Sequence, residues 1–234
     1  MHKEKIRPIK AGCRINDAIF SKVVAHAMAG KFATERDIAK FINAQIRKAG
    51  ARNAFPPIVA IGKNAVDWHH KPTGARLAEG GFCVIDFGAR VNRYCSDMTR
   101  TIYFGKASAK EKRIYSLVRR ANEKSILKVK AKSDGNDIYK YSRRLLGGYA
   151  RYFGHGLGHG LGKIIHARPR LSRKKGRLLQ EGDVVTIEPG VYIPKNFGIR
   201  IEDDVLVTKK GHKLLSHSTK ELIEIQTVEF GIRR

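Results

Sequence analysis

Two stretches near the start of the chain place apolar residues at helical spacing and predict helices. The first covers residues 15–30 and ends at Gly30, because glycine readily takes the left-handed conformation that follows a helix. The second follows Thr34, a typical N-cap residue, has Asp37 three positions on as in a capping box, and closes at Gly50. Its apolar stripe consists of Ile38, Phe41, Ile42 and Ile46.

The rest of the chain contains short apolar runs, which predict strands, and two further helical patterns. The helices are predicted at residues 110–131 and near 137–146. The strands are predicted at residues 56–62, 82–88, 152–162, 183–193 and 199–208, with a strand pair within 91–105. A helix–helix–strand block thus occurs twice, and no low-complexity linker separates the two. We therefore expect one domain of mixed helices and strands over residues 1–234.

The charge of the chain is strongly positive, with 47 Lys and Arg against 21 Asp and Glu and a net charge of +26. Much of the excess lies between Gly105 and Gln180, which holds 21 basic and four acidic residues. If these residues form a basic face, it suits a weak contact with RNA, the ribosome or another polyanion. A solvated surface explains it slightly better, because no aromatic RNA-binding motif or arginine-rich tail accompanies it.

Several protein classes are disfavoured by composition. No apolar run approaches the roughly 18 residues of a membrane span, and no apolar segment follows the basic N-terminus as in a secretory signal. Cys13, Cys83 and Cys95 are scattered and form no CxxC pair, which argues against a disulfide framework and a zinc knuckle. A cytoplasmic protein without membrane contact is expected, and no oligomeric state is predicted.

A glycine-rich stretch, GHGLGHGLG at residues 154–162, is the first candidate for chemistry. It does not fit a Walker A loop, because Leu157 stands where the first glycine belongs. It also fails the GxGxxG pattern in every frame and opens no predicted helix. The loop is therefore more consistent with a metal or substrate site than with phosphate binding.

Four acidic residues interrupt otherwise apolar strands: Asp86, Asp97, Glu188 and Glu202. A carboxylate in such a place is costly unless it is paired or binds a metal. One would usually mean a salt bridge, but four together with a histidine loop favour a metal site. This donor set suits Mn²⁺, Co²⁺, Fe²⁺ or Zn²⁺, and its size suits two ions that activate a water for hydrolysis.

At the level of motifs, four segments resemble the pita-bread metallopeptidases, which include methionine aminopeptidases, Xaa-Pro aminopeptidases and prolidases. The segments are VIDFGARVNRYCSDMTRT, GHGLGHGLGKIIH, TIEPG and GIRIEDDVLVT, in that order. The resemblance extends to Leu222 and implies an α+β fold with a pseudo-twofold antiparallel sheet flanked by helices. It also implies a cytoplasmic hydrolase with two divalent ions, of which Mn²⁺ is the first expectation and Co²⁺, Fe²⁺ or Zn²⁺ the alternatives.

The same resemblance assigns the ligands. Asp97 and Glu202 would bridge both ions, and Asp86 would complete the coordination of one. His159 and Glu188 would complete the other, with Glu188 also acting as general base and proton carrier.

The spacing of the histidines indicates to which branch of the family the chain is most similar. His159 and His166 have the seven-residue spacing of methionine aminopeptidases, but the additional His155 is similar to the Xaa-Pro-cleaving branch. Arg200, two residues before Glu202, and His69 in WHHKPT point the same way.

In that branch the matching His69 and His166 contact the scissile amide or stabilise the oxyanion. Arg200 would orient Asp86 or Glu202. Two alternatives stay open: His155 could merely orient its neighbours, and His70 could replace His69 at the substrate.

Two departures from the family pattern affect these expectations. The chain begins almost at the catalytic helices, so a catalytic domain without the separate N-terminal domain of Xaa-Pro enzymes is expected. Ala167 follows His166 where relatives commonly have an acid, which bears on substrate recognition but not on metal binding.

The leading hypothesis is a dinuclear metallo-aminopeptidase that acts on peptides with a free N-terminus and cleaves before proline. The alternatives are a methionine aminopeptidase acting on nascent chains and a non-catalytic adaptor of the same fold that binds RNA or the ribosome. The five intact ligand positions argue against the adaptor.

Overall fold

The computed structural model describes residues 3–226, and its architecture is α+β, as predicted. This part of the chain contains the helices α1 (Lys3–Met28), α2 (Glu35–Lys48), α3 (Ala109–Ile126) and α4 (Gly135–Leu146). Short 3₁₀ helices cover Gly62–Val66, Leu77–Glu79 and Gly147–Tyr152. The predicted capping box of α2 is present, since the Asp37 carboxylate accepts hydrogen bonds from the N–H and hydroxyl of Thr34, both at 2.9 Å.

Fourteen short strands are assigned within the described residues. In the first half they are β1 (Arg52–Asn53), β2 (Ile58–Ile61), β3 (Gly81–Phe87), β4 (Ala89–Val91), β5 (Tyr94–Cys95) and β6 (Met98–Phe104). In the second half they are β7 (Gly158–Gly160), β8 (Ala167–Leu171), β9 (Val184–Ile187), β10 (Gly190–Ile193), β11 (Phe197–Arg200), β12 (Asp203–Val207), β13 (His212–Leu214) and β14 (Glu224–Ile225).

A four-stranded sheet in the order β14-β6-β3-β2 is covered by α1 and α2; it consists of strands from the first half of the chain and of β14, which returns from near the end of the chain to pair with β6. Along β3, Cys83, Ile85 and Phe87 belong to the core shared with these helices. Since side chains alternate along a strand, Asp86 lies on the opposite face. The strand period therefore places this carboxylate on the side away from the helices.

The second half repeats the arrangement with α3, α4 and a five-stranded sheet in the order β13-β12-β9-β7-β8. Helix and sheet residues share one core, in which Ile114 and Val118 of α3 pack with Ile138 of α4 and Val185 of β9. The hairpin β10-β11 and the small sheet β1-β4-β5 complete the fold. Both halves thus follow the helix–helix–sheet order seen in the sequence.

Two strands predicted to be continuous are broken at their acidic residues. The prediction of one strand over 183–193 is wrong: β9 ends before Glu188, whose N–H donates to the Leu157 carbonyl at 2.8 Å. The prediction of one strand over 199–208 is wrong at Glu202, whose N–H donates to the Thr99 carbonyl at 3.1 Å. At each break the backbone pairs with a different neighbour, and this is where the carboxylates enter the interior.

Other boundaries also differ from the predictions. Helix α1 begins at Lys3 rather than near residue 15, and α3 ends at Ile126 rather than residue 131. The predicted strand over 152–162 is reduced to Gly158–Gly160, because the preceding residues turn through a 3₁₀ helix and a loop. Gly12, within α1, lets the helix pack closely on the loop before β6, because a Cβ there would come within 2.6 Å of the Ser96 hydroxyl oxygen. In residues 3–226, no helix is both long and apolar enough to cross a membrane.

Candidate metal centre and substrate cavity

A cavity of about 510 Å³ brings the predicted site residues together. Its lining includes Trp68 with the segment around it, and the glycine loop. The predicted site residues that line it are Asp86, Asp97, His155, His159, His166, Glu188, Arg200, Glu202, His69 and His70. Residues spread over more than a hundred positions in the sequence thus share one concave space.

The centre of the cavity is a carboxylate–histidine cluster. One oxygen or nitrogen each from Asp97, His159 and Glu202 lie within 4.8 Å of one another, and all three residues are buried. The Nε2 atom of His159 lies 3.6 Å from the Asp97 carboxylate and 3.5 Å from that of Glu188. These separations are too long for hydrogen bonds, so the donors converge without satisfying one another.

Neighbouring side chains hold this cluster in place. The Thr99 hydroxyl lies 2.7 Å from Glu202 Oε2, and the Thr186 hydroxyl accepts from the His159 N–H at 3.1 Å. Asp204 accepts from the Asp97 N–H at 2.9 Å and is itself fully buried. Such supporting contacts orient ligand groups before any ion is bound.

Arg200 lies against the carboxylates that it was predicted to orient. Its Nη2 donates to Asp86 Oδ2 at 2.6 Å and its Nε donates to the Thr99 hydroxyl at 3.0 Å. It therefore contacts Asp86 directly and reaches Glu202 through Thr99. The guanidinium is 3% exposed, so this is a buried charge paired within the cavity wall.

The electrostatics of the site fit bound cations. Burial and the neighbouring carboxylates of Glu202 and Asp86 raise the pKa of Asp97 well above its usual value. Burial likewise raises the pKa of Glu188 to about 7, although Arg200 opposes the rise. Four carboxylates thus share one desolvated space, with Arg200 as the buried cation and Arg170 at the exposed part of the lining, and divalent ions would remove that penalty.

Unpartnered atoms support the same fit. Within residues 3–226, the Oδ1 atoms of Asp86 and Asp97 are buried and have no hydrogen-bond partner. A buried carboxylate oxygen without a partner is costly, and both atoms belong to residues predicted as ligands. The donor set, with four carboxylates and one imidazole, is of the kind that holds hard or borderline divalent metals.

His155 lies in a hydrogen-bonded chain rather than free in the cavity. Its Nε2 lies 2.7 Å from the Tyr192 hydroxyl, which accepts from Arg200 Nη1 at 2.9 Å. Since arginine can only donate, the tyrosine proton is directed to Nε2, and the proton on Nδ1 is directed to the Gly156 carbonyl at 2.8 Å. Both ring nitrogens are therefore engaged, which favours the interpretation that His155 orients its neighbours.

Tyr192 and Trp68 were missed by sequence reasoning. The Trp68 ring packs at 5.6 Å from the His155 ring and 5.5 Å from the Tyr192 ring. The sequence offered weak signals: Tyr192 follows Glu188 by four positions, and Trp68 directly precedes His69. Neither signal specifies a hydrogen bond or a ring contact.

The two adjacent histidines at the cavity rim have different environments. His70 Nε2 lies 2.9 Å from the carboxylate of Glu35, a fully buried residue at the start of α2. His69 is exposed at the cavity, with its ring 6.4 Å from that of Trp68. Of the two, His69 is the one available to a substrate.

His166 lines the cavity and lies beside the cluster. Its ring meets that of His159 edge to face at 4.6 Å, and its carbonyl accepts from Arg170 at 2.9 Å. Burial lowers the pKa of His166, and the positive charge of Arg170 is the second cause. A neutral imidazole at this position can donate or accept a hydrogen bond toward a substrate.

Glycines in the loop allow close approach of backbone and ring atoms. A Cβ at Gly158 would overlap the Thr186 carbonyl, and one at Gly160 would overlap the Arg168 carbonyl. At Gly154 a Cβ would come within 2.8 Å of the Trp68 ring. The glycines thus serve the packing of β7 between its neighbours and of Trp68 onto the loop.

A buried carboxylate–histidine cluster at the centre of a twofold-repeated α+β fold is the arrangement of a metallopeptidase catalytic domain. The chain belongs to metallopeptidase family M24, whose family model matches residues 7–209.

Several curated and solved relatives are named as Xaa-Pro peptidases, some of them as dipeptidases and others as aminopeptidases. The chain is 37% identical over 224 residues to a Xaa-Pro dipeptidase of Pyrococcus horikoshii, covering 94% of this chain and 63% of the relative. Among solved structures, it superposes on a Thermococcus sibiricus prolidase with a TM-score of 0.90 and 35% identity, covering 95% of this chain and 61% of that one.

The chain also superposes on an X-Pro aminopeptidase of Thermotoga maritima with a TM-score of 0.89 and 33% identity. This match covers 95% of this chain and 64% of that one. The chain therefore spans less than two thirds of the length of these relatives.

Proposed function

We propose that this chain is a metal-dependent aminopeptidase that hydrolyses the peptide bond between an N-terminal residue and proline. The observation that carries the proposal is the convergence of Asp86, Asp97, His159, Glu188 and Glu202 in one cavity with partnerless carboxylate oxygens. The hydrogen-bonded chain from His155 through Tyr192 to Arg200 supports the Xaa-Pro-cleaving branch, as do the names of the relatives.

The five convergent residues would hold two divalent ions, with Mn²⁺ as the first expectation. Asp97 and Glu202, to which the family resemblance assigns the shared role, would hold them together with His159, whose donor atom lies within 4.8 Å of theirs. Bound there, the ions would supply Lewis acidity and would acidify a water molecule.

Glu188 would act as the general base. Its side chain is 16% exposed, compared with 6% for Asp97, so it faces the space where a substrate enters. The carboxylate would take a proton as the water oxygen forms its bond to the scissile carbon. It would then deliver that proton to the proline nitrogen as the C–N bond breaks.

The histidines at the rim would act on the substrate carbonyl. His69 and His166 both line the cavity, on the Trp68 segment and after the glycine loop respectively. Each would donate a hydrogen bond to the amide region or to the oxyanion that develops during attack. His155, with both nitrogens engaged, would hold Tyr192 and the Trp68 ring in place.

Proline selectivity would come from the shape and apolar surface of the cavity wall. Trp68, Pro72 and Ile58 line the cavity near His69 and offer apolar surface for a pyrrolidine ring. Because a proline nitrogen carries no hydrogen once acylated, the site needs no acceptor for it.

A peptide panel with metal-reconstituted protein tests this function. We expect hydrolysis of Xaa-Pro-Xaa peptides and of Xaa-Pro dipeptides to exceed that of Met-Ala peptides, and the ratio of the first two separates aminopeptidase from dipeptidase preference. Faster cleavage of Met-Ala would overturn the proline assignment in favour of a methionine aminopeptidase.

Glu188→Gln is the matched variant for the mechanism, since it preserves shape and removes the base. We expect kcat to fall by at least roughly 100-fold, the usual scale for loss of a general base. Full activity in this variant would contradict the assignment of Glu188, and activity that survives chelation would contradict the metal requirement.

A further inference from the structure

A second cleft of about 510 Å³ lies apart from the catalytic cavity and shares no lining residue with it. It is lined by Gly50, Arg52, Arg90, Asn92, Arg93 and Lys163. The lining includes four basic residues and no acidic one. Within residues 3–226, none of these four cations lies within ion-pair distance of a carboxylate.

The cleft is built where the two halves of the fold meet. Arg52 and Arg90 lie on the paired strands β1 and β4, and Arg93 lies in the turn between β4 and β5. Lys163 follows the glycine loop, which is joined to β5 by a hydrogen bond from the Cys95 N–H to the Gly162 carbonyl at 2.9 Å. Cations from distant parts of the sequence thus face one space.

Arg90 has an environment that favours a bound anion. Its Nε atom is buried and has no oxygen or nitrogen partner within the described residues, and the nearby polar group is the weakly accepting Cys95 thiol. A guanidinium stays charged at any ordinary pH, so this donor remains desolvated beside three other positive charges. An anion in the cleft would reduce the repulsion between the four cations and would accept hydrogen bonds from those of their nitrogen atoms that reach the cleft.

We propose that this cleft binds a phosphate group. Several cations around one space favour a tetrahedral, multiply charged oxyanion over a single carboxylate, and the planar donor fork of arginine matches phosphate oxygens. The volume exceeds that of one phosphate, which leaves room for a phosphate carried by a larger molecule. Two sources share this chemistry: free phosphate and the backbone of a single-stranded RNA.

Binding measurements at constant ionic strength test the proposal. Inorganic phosphate is titrated by calorimetry, and a fluorescein-labelled uridine octanucleotide by anisotropy, against the metal-loaded protein. The test variant is Arg93→Asn with Lys163→Gln, since asparagine tolerates the left-handed backbone at position 93, where φ is 71°. The matched control is Arg113→Gln with Arg120→Gln, which removes the same charge from a separate surface at α3.

We expect saturable binding of at least one probe and a loss of at least roughly tenfold in affinity in the test variant, because two charge-assisted contacts are removed. The control should stay within about twofold of the wild type. If the octanucleotide is the ligand, the slope of log K against log salt should fall by about 1.4 in the test variant.

The phosphate and octanucleotide titrations distinguish free phosphate from RNA as the ligand, and two outcomes would contradict the proposal. Loss of phosphate binding alone would identify a small phosphate compound, and loss of octanucleotide binding would identify RNA. Equal weakening in both double variants would show that bulk charge alone attracts the probes and would overturn the cleft site. Absence of saturable binding for both probes would overturn it as well.

Discussion

The Tyr192 hydroxyl connects a buried cation to a buried imidazole at the edge of the candidate site. It accepts from Arg200 at 2.9 Å and lies 2.7 Å from His155 Nε2. Burial, and next the charge of Arg200, lower the pKa of His155 to about 3, so the ring is neutral and can accept the tyrosine proton. One hydroxyl thus determines the tautomer of His155 and one contact of Arg200.

Replacing Tyr192 by phenylalanine should break the hydrogen-bonded series from His155 through Tyr192 to Arg200. Two buried groups would lose their partner at a cost of about 1–3 kcal/mol each. We expect kcat/KM on an Xaa-Pro peptide to fall by roughly tenfold or more, together with a lower free energy of unfolding in urea.

Tyr115→Phe is the matched control, because that hydroxyl donates to the Lys220 carbonyl at 3.1 Å away from the cavity. It should lose stability and keep kcat/KM. Wild-type activity in Tyr192→Phe would show that the hydroxyl does not serve the site.

Residue types in the sequence singled out residues that line one cavity in the structure, but they carried no information on hydrogen-bond direction. Asp86 and Asp97 stood out because a charge in an apolar run is costly, and that physical argument does not depend on the fold. The engagement of both His155 nitrogens depends on Tyr192 and Gly156, whose positions follow only from tertiary structure.

At the scale of elements, the helices were easier to predict than the strands. The capping box of α2 is a local signal, because Thr34 and Asp37 are three residues apart and contact each other directly. The breaks at Glu188 and Glu202 have no local signal, since each is caused by pairing with a distant backbone carbonyl. Apolar periodicity cannot show where a strand changes partner.

Glu35 shows how one element can position another. Its buried carboxylate accepts from the Ile61 N–H, the Asn64 side chain and both the N–H and hydroxyl of Thr73, at 2.7–2.9 Å. With the contact to His70, the start of α2 holds both ends of the segment that carries Trp68 and His69.

Glu35→Gln should loosen that segment. The chain contains one tryptophan, so fluorescence quenching by acrylamide reports on Trp68 alone. We expect stronger quenching and a higher KM in Glu35→Gln, because an amide cannot accept the same set of hydrogen bonds. Glu79→Gln, at an exposed position in the same region, is the control and should behave as the wild type. Unchanged quenching in Glu35→Gln would mean that other contacts hold the segment.

The pH dependence of Trp68 quenching gives a second test of Glu35. Burial raises the pKa of Glu35, but its hydrogen bonds with Asn64, His70, Ile61 and Thr73 outweigh this and leave the pKa below the usual 4.5. A lowered folded pKa means that the stabilisation is complete above pH 4.5 and is lost as the pH falls through the folded value. Quenching should therefore rise in acid in the wild type and show no such step in Glu35→Gln.

For the molecule as a whole, the candidate ligands join the two halves. Asp86 and Asp97 belong to the first sheet and its edge, whereas His159, Glu188 and Glu202 belong to the second half. Ions held by all five would therefore link the halves as well as serve chemistry. Without ions, four carboxylates share a desolvated space and repel one another.

Chelation should consequently lower thermal stability. An ion present at 100 times its dissociation constant adds about 2.7 kcal/mol to the free energy of unfolding. The melting temperature of a domain of this size changes by about 2–4 °C for each kcal/mol of that free energy. We expect the melting temperature in scanning calorimetry to fall by roughly 5–10 °C on addition of a chelator. Asp97→Asn should show a much smaller fall, because it lacks a central ligand. Equal melting temperatures of the wild type with and without chelator would mean that these five residues do not hold the halves together through metal.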